Sequence, residues 1–201
     1  MDEIAIPIYL MAGFLESGKT SFLNFTLDQD YFQIDEPTLL ILCEEGEVEL
    51  DKKALKKSNT SVEILDSPEE LTLERLVAYD AFYHPGRVIM EYNGMWQVSK
   101  LEEMQLPKGW GVVQQIVTVD ASTFQVYMNN MKSLFVEMVR NADLVLFNRC
   151  DMDMPLASFR RSVKVVNQAV EIIFEDEEGE IEDIFADEMP FDVNADVIEI
   201  M

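Results

Sequence analysis

Gly13-Phe14-Leu15-Glu16-Ser17-Gly18-Lys19-Thr20 is the stretch whose reading decides the fold. It has the spacing GxxxxGK[ST], with an apolar run over about 4–12 before it and the helical pattern Ser21-Phe22-Leu23-Asn24-Phe25 after it. A strand, a glycine-bearing turn and a helix start, in that order, aim backbone N–H groups and the positive end of a helix at phosphate oxygens. Lys19 is placed to reach the β and γ oxygens of a nucleoside triphosphate, and the Thr20 hydroxyl to bind Mg²⁺. Gly13, Glu16, Ser17, Gly18, Lys19, Thr20 and Ser21 are assigned to the nucleotide on this ground.

Outward from the loop, apolar runs predict further strands at about 38–43, 62–65, 87–92, 111–119 and 143–148. Several are uninterrupted enough to be buried on both faces, which favours a mainly parallel sheet. Helical patterns lie between them at about 19–28, 68–79, 121–140 and 155–169, the second opening on Ser67-Pro68-Glu69-Glu70. Alternating strands and helices predict an α/β fold, a three-layer P-loop NTPase sandwich. Phe124, Met128, Met131, Phe135 and Met138 recur at helical spacing and are expected to face the core. His84, beside Pro85 and Gly86, reads as a turn residue.

The chain has 201 residues, 48% of them apolar, and a net charge of -24. That composition excludes a disordered chain and a disulfide scaffold. A chain so acidic forgoes the counterion release that drives nucleic-acid binding, so DNA and RNA are not expected partners. No apolar run is long enough to span a bilayer, no basic leader precedes the first one, and the expected location is the cytoplasm. Cys43 and Cys150 form no CxxC pair and are expected to be reduced thiols. The acids are unevenly spread: residues 171–201 hold 13 of the 39 and no Lys or Arg. This acidic C-terminal segment reads as a solvated run of like charge.

Two further segments fall where a nucleotide triphosphatase needs them. The run Arg87-Val88-Ile89-Met90 delivers Glu91 at its C-terminal end, followed by Tyr92-Asn93-Gly94. An acid there can join the Mg²⁺ shell, and the Gly94 N–H can approach a γ-phosphate, so Lys19, Glu91 and Gly94 are the candidate catalytic residues. Alone, an acid at a strand end and a turn glycine would be ordinary loop chemistry. The run Leu144-Val145-Leu146-Phe147 delivers Asn148-Arg149-Cys150-Asp151, close to the NKxD pattern that reads guanine. An Asp carboxylate there accepts the ring N–H and exocyclic amine of guanine, whereas adenine would leave it unpaired. Asn148 would support base and loop, and the Arg149 guanidinium can lie over the base.

With these segments in view, the chain resembles the CobW/HypB/UreG family of P-loop GTPases and metal chaperones, in its CobW-like branch. GFLESGKTSFLN over 13–24 is similar to the family's GFLGSGKTTLLN, and Cys43 to Asp51 to its NEFGEVGID segment. Glu91 to Gly94 matches ETTG, Val117 to Ala121 matches the strand ending VVDA, Asn148 to Asp151 matches NKxD, and Val166 to Ala169 matches LNPxA. The resemblance implies GTP and GDP as ligands, Mg²⁺ at Thr20 and Glu91, and a protein client or metal-handling partner. It also points to Glu44, Glu47 and Asp51 as a carboxylate metal site; acids on a solvated loop are the plainer reading of those residues.

The chain departs from the family in several places. The CxCC metal motif expected between the NEFGE and ETTG segments is missing, and Asn59 to Ile64 contains no cysteine. Thiolates select soft metals, so any nucleotide-free metal is expected to bind weakly. Glu16 stands where the family has glycine, Cys43 where it has the Asn of NEFGE, and Tyr92-Asn93 where it has Thr-Thr. An anion roughly 8 Å from the γ-phosphate would cost up to about 2 kcal/mol before screening, and the altered switch segments affect turnover more than binding. The family's smaller C-terminal domain is not present within 1–201, which is read as one GTPase domain, with truncation of a longer chain left open. The resulting expectation is a Mg²⁺-dependent GTP-binding protein with slow GTPase activity. Its rivals are a nucleotide-binding interaction module without significant hydrolysis and a small-molecule kinase, for which no basic lid is evident.

Overall fold

The apolar run before Gly13 becomes the central strand of a seven-stranded sheet. In the computed structural model, residues 4–43, 49–179 and 181 are described. Strand β1 (Ile6–Ala12) leads through the glycine loop into helix α1 (Lys19–Asp28). β2 (Thr38–Leu42), α2 (Lys52–Lys57) and β3 (Thr60–Ile64) follow. Then come α3 (Leu73–Tyr83), β4 (Arg87–Glu91) and α4 (Val98–Glu103). β5 (Trp110–Asp120), α5 (Phe124–Asn130), α6 (Lys132–Arg140) and β6 (Leu144–Asn148) precede α7 (Leu156–Val166) and β7 (Glu171–Phe174). The strand order is β3-β2-β4-β1-β5-β6-β7, and every pairing is parallel. The fold is therefore the α/β P-loop NTPase type that the sequence pattern predicts.

Parallel strands need both faces covered, because their crossovers put helices on each side. Alternation along the strands supplies both faces: Leu39 and Ile41 point to one core and Leu40 to the other, all fully buried. On one side α1 and α2 cover Met11, Leu40 and Ile89 with Leu23, Leu27 and Ala54. On the other, Ile8, Leu10, Val88, Met90, Val117, Val145 and Phe147 meet side chains of the remaining helices, among them Leu76, Phe124, Phe135 and Phe159. Phe124 contacts the rings of Phe135, Phe147 and Phe159 at centroid distances of 5.3, 5.1 and 4.7 Å. The two layers hold β1 between them and fix where its C-terminal end opens.

Several elements differ from the sequence expectation. Pro68–Glu70 makes a single 3₁₀ turn, and α3 begins only at Leu73, because Thr72 takes an extended conformation and its hydroxyl accepts the Arg75 N–H at 3.2 Å. The expected helix over 121–140 is two helices, interrupted at Met131, which has φ -133 and ψ 32. Asn129 and Asn130, poor helix formers, stand just before the break. Phe124, Phe135 and Met138 are nonetheless buried, with Met128 and Met131 half-buried against them. The start of the acidic segment, Glu171–Phe174, is a strand paired with β6, and Phe174 is buried. The short helices α2 and α4 carry too few residues to show a periodicity.

His84 closes α3 in the left-handed region at φ 46, a turn residue as expected. Cys43 and Cys150 are both buried, and no disulfide joins them. Among the described residues, no helix is long and apolar enough to cross a membrane.

Candidate functional site

β1, β4, β5 and β6 all end on the same edge of the sheet, so Gly13, Glu91, Asp120 and Asn148 emerge side by side. In open α/β sheets this carboxyl edge is where a ligand crevice forms. The loop between β1 and α1 is shaped by backbone that side chains resist. Gly13 has φ 149, and a Cβ there would lie 2.5 Å from Ser17 Oγ and 2.6 Å from the Thr118 carbonyl. Gly18, the N-cap of α1, has φ 93, and a Cβ there would lie 2.5 Å from Asn148 Nδ2. Glu16 sits between them at φ 61, a left-handed conformation carried here by a non-glycine residue. That geometry explains why the family motif has glycine at this place.

Polar contacts brace the loop from both sides. Ser17 Oγ and Thr118 Oγ1 are 2.8 Å apart, both buried, which ties the loop to β5. Lys19 is buried, and its Nζ donates to the carbonyls of Gly13 and Phe14 at 3.0 Å each. Thr20 Oγ1 donates to Glu91 at 3.2 Å from Oε1 and 3.4 Å from Oε2. Ser21 lies exposed on the first turn of α1. The Phe14 ring stacks on Tyr127 of α5, 4.1 Å between centroids and 9° between planes.

Gly94 lies directly behind the loop. A Cβ there would be 2.1 Å from the Gly13 carbonyl oxygen, so this position tolerates only glycine without moving backbone. Tyr92, two residues earlier, is buried, and its hydroxyl donates to the Gln97 carbonyl at 2.9 Å. Burial, with the Cys43 and Glu137 side chains nearby, pushes its pKa well above the ordinary tyrosine value. The position is thus a core ring rather than a hydroxyl turned to the loop.

Asn148 reaches across to the phosphate loop. Its Nδ2 donates to the Ser17 carbonyl at 2.7 Å, which orients the amide and leaves Oδ1 buried without a partner. Arg149, at φ 52, donates from one guanidinium nitrogen to the Glu16 carbonyl at 3.0 Å and to Asp120 at the end of β5. Asp120 also accepts the Ser122 N–H at 2.8 Å. Asp151 is exposed on the same turn, where its Oδ1 accepts the Asp153 N–H at 3.0 Å. The Cys150 N–H donates to the Glu175 carbonyl at 2.9 Å, so the turn after β7 lies against this loop. Burial raises the Cys150 thiol to about 11.

The structure thus brings together Gly13, Glu16, Ser17, Gly18, Lys19, Thr20, Glu91, Gly94, Asn148 and Arg149 around the β1–α1 loop at the carboxyl edge of the sheet. Asp151 shares the Asn148 turn without contacting the loop glycines. Asp51 stands apart: it caps α2 by accepting the Lys53 N–H at 2.7 Å, and its own N–H goes to Asn24 at 2.8 Å. Glu44 and Glu47, expected beside it, lie outside the described residues. Among the described residues, no group of three His, Cys, Asp or Glu side chains is placed to hold a metal ion.

Thr118 and Asp120 join the site without being among the residues that the sequence motifs assign to it. A polar Thr in an otherwise apolar strand, followed by an acid at its end, was the available signal.

The residues present fit a bound nucleotide. The buried Asn148 Oδ1 needs a donor, and a cradle of glycines, Lys19 and a helix N-terminus suits phosphates.

The family model for the nucleotide-binding domain of CobW/HypB/UreG matches residues 7–174. No curated protein matches the chain. Among solved structures, Zn(II)-bound YjiA GTPase from E. coli is 22% identical with a TM-score of 0.63, covering 90% of this chain and 60% of that one. HypB from Archaeoglobus fulgidus is 17% identical with a TM-score of 0.58, covering 87% of this chain and 82% of that one. HypB from Helicobacter pylori, in complex with nickel, is 14% identical with a TM-score of 0.54, covering 87% and 80%. At these identities the structures show the shared fold, and the chain spans less than two thirds of the YjiA chain.

Proposed function

Because the chain belongs to the CobW/HypB/UreG nucleotide-binding family, we propose that it binds GTP and GDP with Mg²⁺ and hydrolyses GTP slowly. The observation that carries this reading is the Asn148 amide joined to the Ser17 carbonyl, since it seats the base-reading turn directly on the phosphate loop. Lys19 and the N-terminus of α1 hold the phosphate charge, and Arg149, held between Glu16 and Asp120, offers a flat cation beside the base position. Asp151 accepts the paired N–H donors of guanine, and with adenine it would be left unpaired at a cost of a few kcal/mol. Thr20 and Glu91 would hold Mg²⁺, which when bound neutralises phosphate charge and orients the oxygens.

Met95 stands directly after Gly94 where a water-positioning Gln would be needed, so turnover belongs in the unassisted range, on the order of 10⁻⁴ to 10⁻² per second. The role proposed for the nucleotide state is coupling to a protein client or metal-handling partner in the cytoplasm, within one GTPase domain spanning 1–201. Zinc is bound in the YjiA structure and nickel in the Helicobacter pylori HypB structure; this chain lacks the CxCC motif, so any metal it holds without nucleotide is expected to bind weakly. Calorimetric titration of GTP, GDP and ATP with Mg²⁺ tests the assignment. Guanine nucleotides are expected to bind more tightly, and equal affinity for ATP would overturn it.

One observation favours a second reading, an interaction module that binds nucleotide without turning it over. Tyr92, which replaces a threonine of the family's ETTG, turns its hydroxyl into the protein toward Gln97. Phosphate release from demonstrably bound GTP, with and without Mg²⁺, separates the two readings.

A further inference from the structure

β3 ends the sheet opposite β7. Its register with β2 runs without a shift from Thr38↔Thr60 to Leu42↔Ile64. The Asn59 carbonyl accepts from Thr38 and the Leu65 N–H donates to Leu42, so the odd-numbered residues face β2. Parallel pairing then turns the backbone groups of Thr60, Val62 and Ile64 outward, and among the described residues no strand or loop pairs with them. Natural edges are usually blunted by Lys, Pro or a bulge. Thr-Ser-Val-Glu-Ile has none of these, and its one charge, Glu63, is folded back onto the Tyr83 hydroxyl of α3.

Beside this edge runs a groove of about 650 Å³ lined by Glu63, Asp66, Glu70 and Glu74, with Arg75 as its lone cation. Arg75 is already paired with Glu70 at 3.4 Å. Ala78 and Tyr79 of α3 line it as well, and Phe82, one turn further along α3, is 75% exposed. A second copy of this chain would bring the same carboxylates face to face, and a net charge of -24 adds repulsion.

We propose that the β3 edge is a docking site for an extended basic segment of a partner protein, added as an eighth strand, with Lys or Arg side chains on the groove carboxylates. Main-chain hydrogen bonds to Thr60, Val62 and Ile64 supply affinity, and alternate cationic side chains supply selectivity. Tyr79, which lines the groove, adds an aromatic ring beside the same cations. The site lies on the sheet's outer edge and is independent of the nucleotide assignment.

The test is fluorescence anisotropy with a labelled eight-residue peptide of alternating Lys and Val, at about 0.15 M salt where long-range charge effects are damped. Saturable binding is expected. It should fall at least about tenfold for either of two peptides N-methylated on alternate residues, whichever set faces β3, because methylation removes the ladder donors while keeping the charge. Asp66→Asn with Glu74→Gln should weaken binding similarly. The control pair Glu103→Gln with Glu171→Gln, exposed elsewhere, should leave it within about twofold. Val62→Pro removes an outward N–H without touching the ladder to β2 and should abolish binding; its melting temperature checks that it folds, and the methylated peptides test the wild-type protein regardless. Absence of binding, equal binding of both methylated peptides, or equal loss in the control pair would overturn the proposal.

Discussion

Gly94→Ala isolates the contact on which the phosphate loop rests. The added Cβ would stand 2.1 Å from the Gly13 carbonyl oxygen, 2.7 Å from its carbon and 2.8 Å from the Phe14 Cα. All three are backbone atoms, so no side chain can swing away. Ordinary contact requires roughly 1 Å more than this, and the Gly13 carbonyl that must retreat also accepts the Lys19 ammonium. Overpacking of this kind costs about 1–3 kcal/mol, which for a domain of this size lowers the melting temperature by about 2–12 °C. A displacement near 1 Å in a binding loop costs about a hundredfold in function, or about 2.7 kcal/mol, and GTP affinity should fall on that scale. Gly111→Ala is the control, since the atoms nearest its Cβ would all belong to the Ile4 side chain, the first being Cδ1 at 2.7 Å, the far end of a side chain rather than backbone. Thermal melts and calorimetry with GTP read both effects. A Gly94→Ala protein with unchanged melting temperature and unchanged affinity would refute the close approach of Gly94 to the loop.

Glu16→Gly should raise stability by about 0.5–1 kcal/mol by relieving the left-handed backbone at φ 61, and tighten GTP by removing an anion; Glu16→Gln should give only the second effect in parallel melts and titrations. Lys19→Ala should weaken GTP, GDP and ATP alike, whereas Asp151→Ala should erase the guanine preference while leaving ATP affinity unchanged. Asp120→Asn, which loosens the guanidinium of Arg149, should raise the Kd for GTP several-fold with a melting temperature close to wild type. The Cys150 thiol is neutral in the folded protein up to about 11, while in the unfolded chain it ionises from its ordinary value of 9.0. Its contribution to stability is therefore complete below pH 9 and lost as pH rises toward 11. Cys150→Ser should flatten that part of the stability profile in melts across alkaline pH.

Spacing along the chain determined the fold class and singled out most of the residues that the structure gathers at the candidate site. GxxxxGK[ST] after an apolar run, an acid ending one strand and Asn-Arg-x-Asp ending another are local signals, because strand ends on a parallel sheet share one edge whatever the loops do. Periodicity also marked the buried face of Phe124, Phe135 and Met138, since core packing is written in spacing. What the tertiary structure decided depends on residues far apart in sequence. Gly94 against Gly13, Asn148 on the Ser17 carbonyl, Ser17 with Thr118, and Arg149 between Glu16 and Asp120 are contacts that no window of sequence contains. The helix break at Met131 and the four-residue strand Glu171–Phe174 were hidden for a related reason: short segments carry little intrinsic preference, and their conformation is set by the neighbours they pack against.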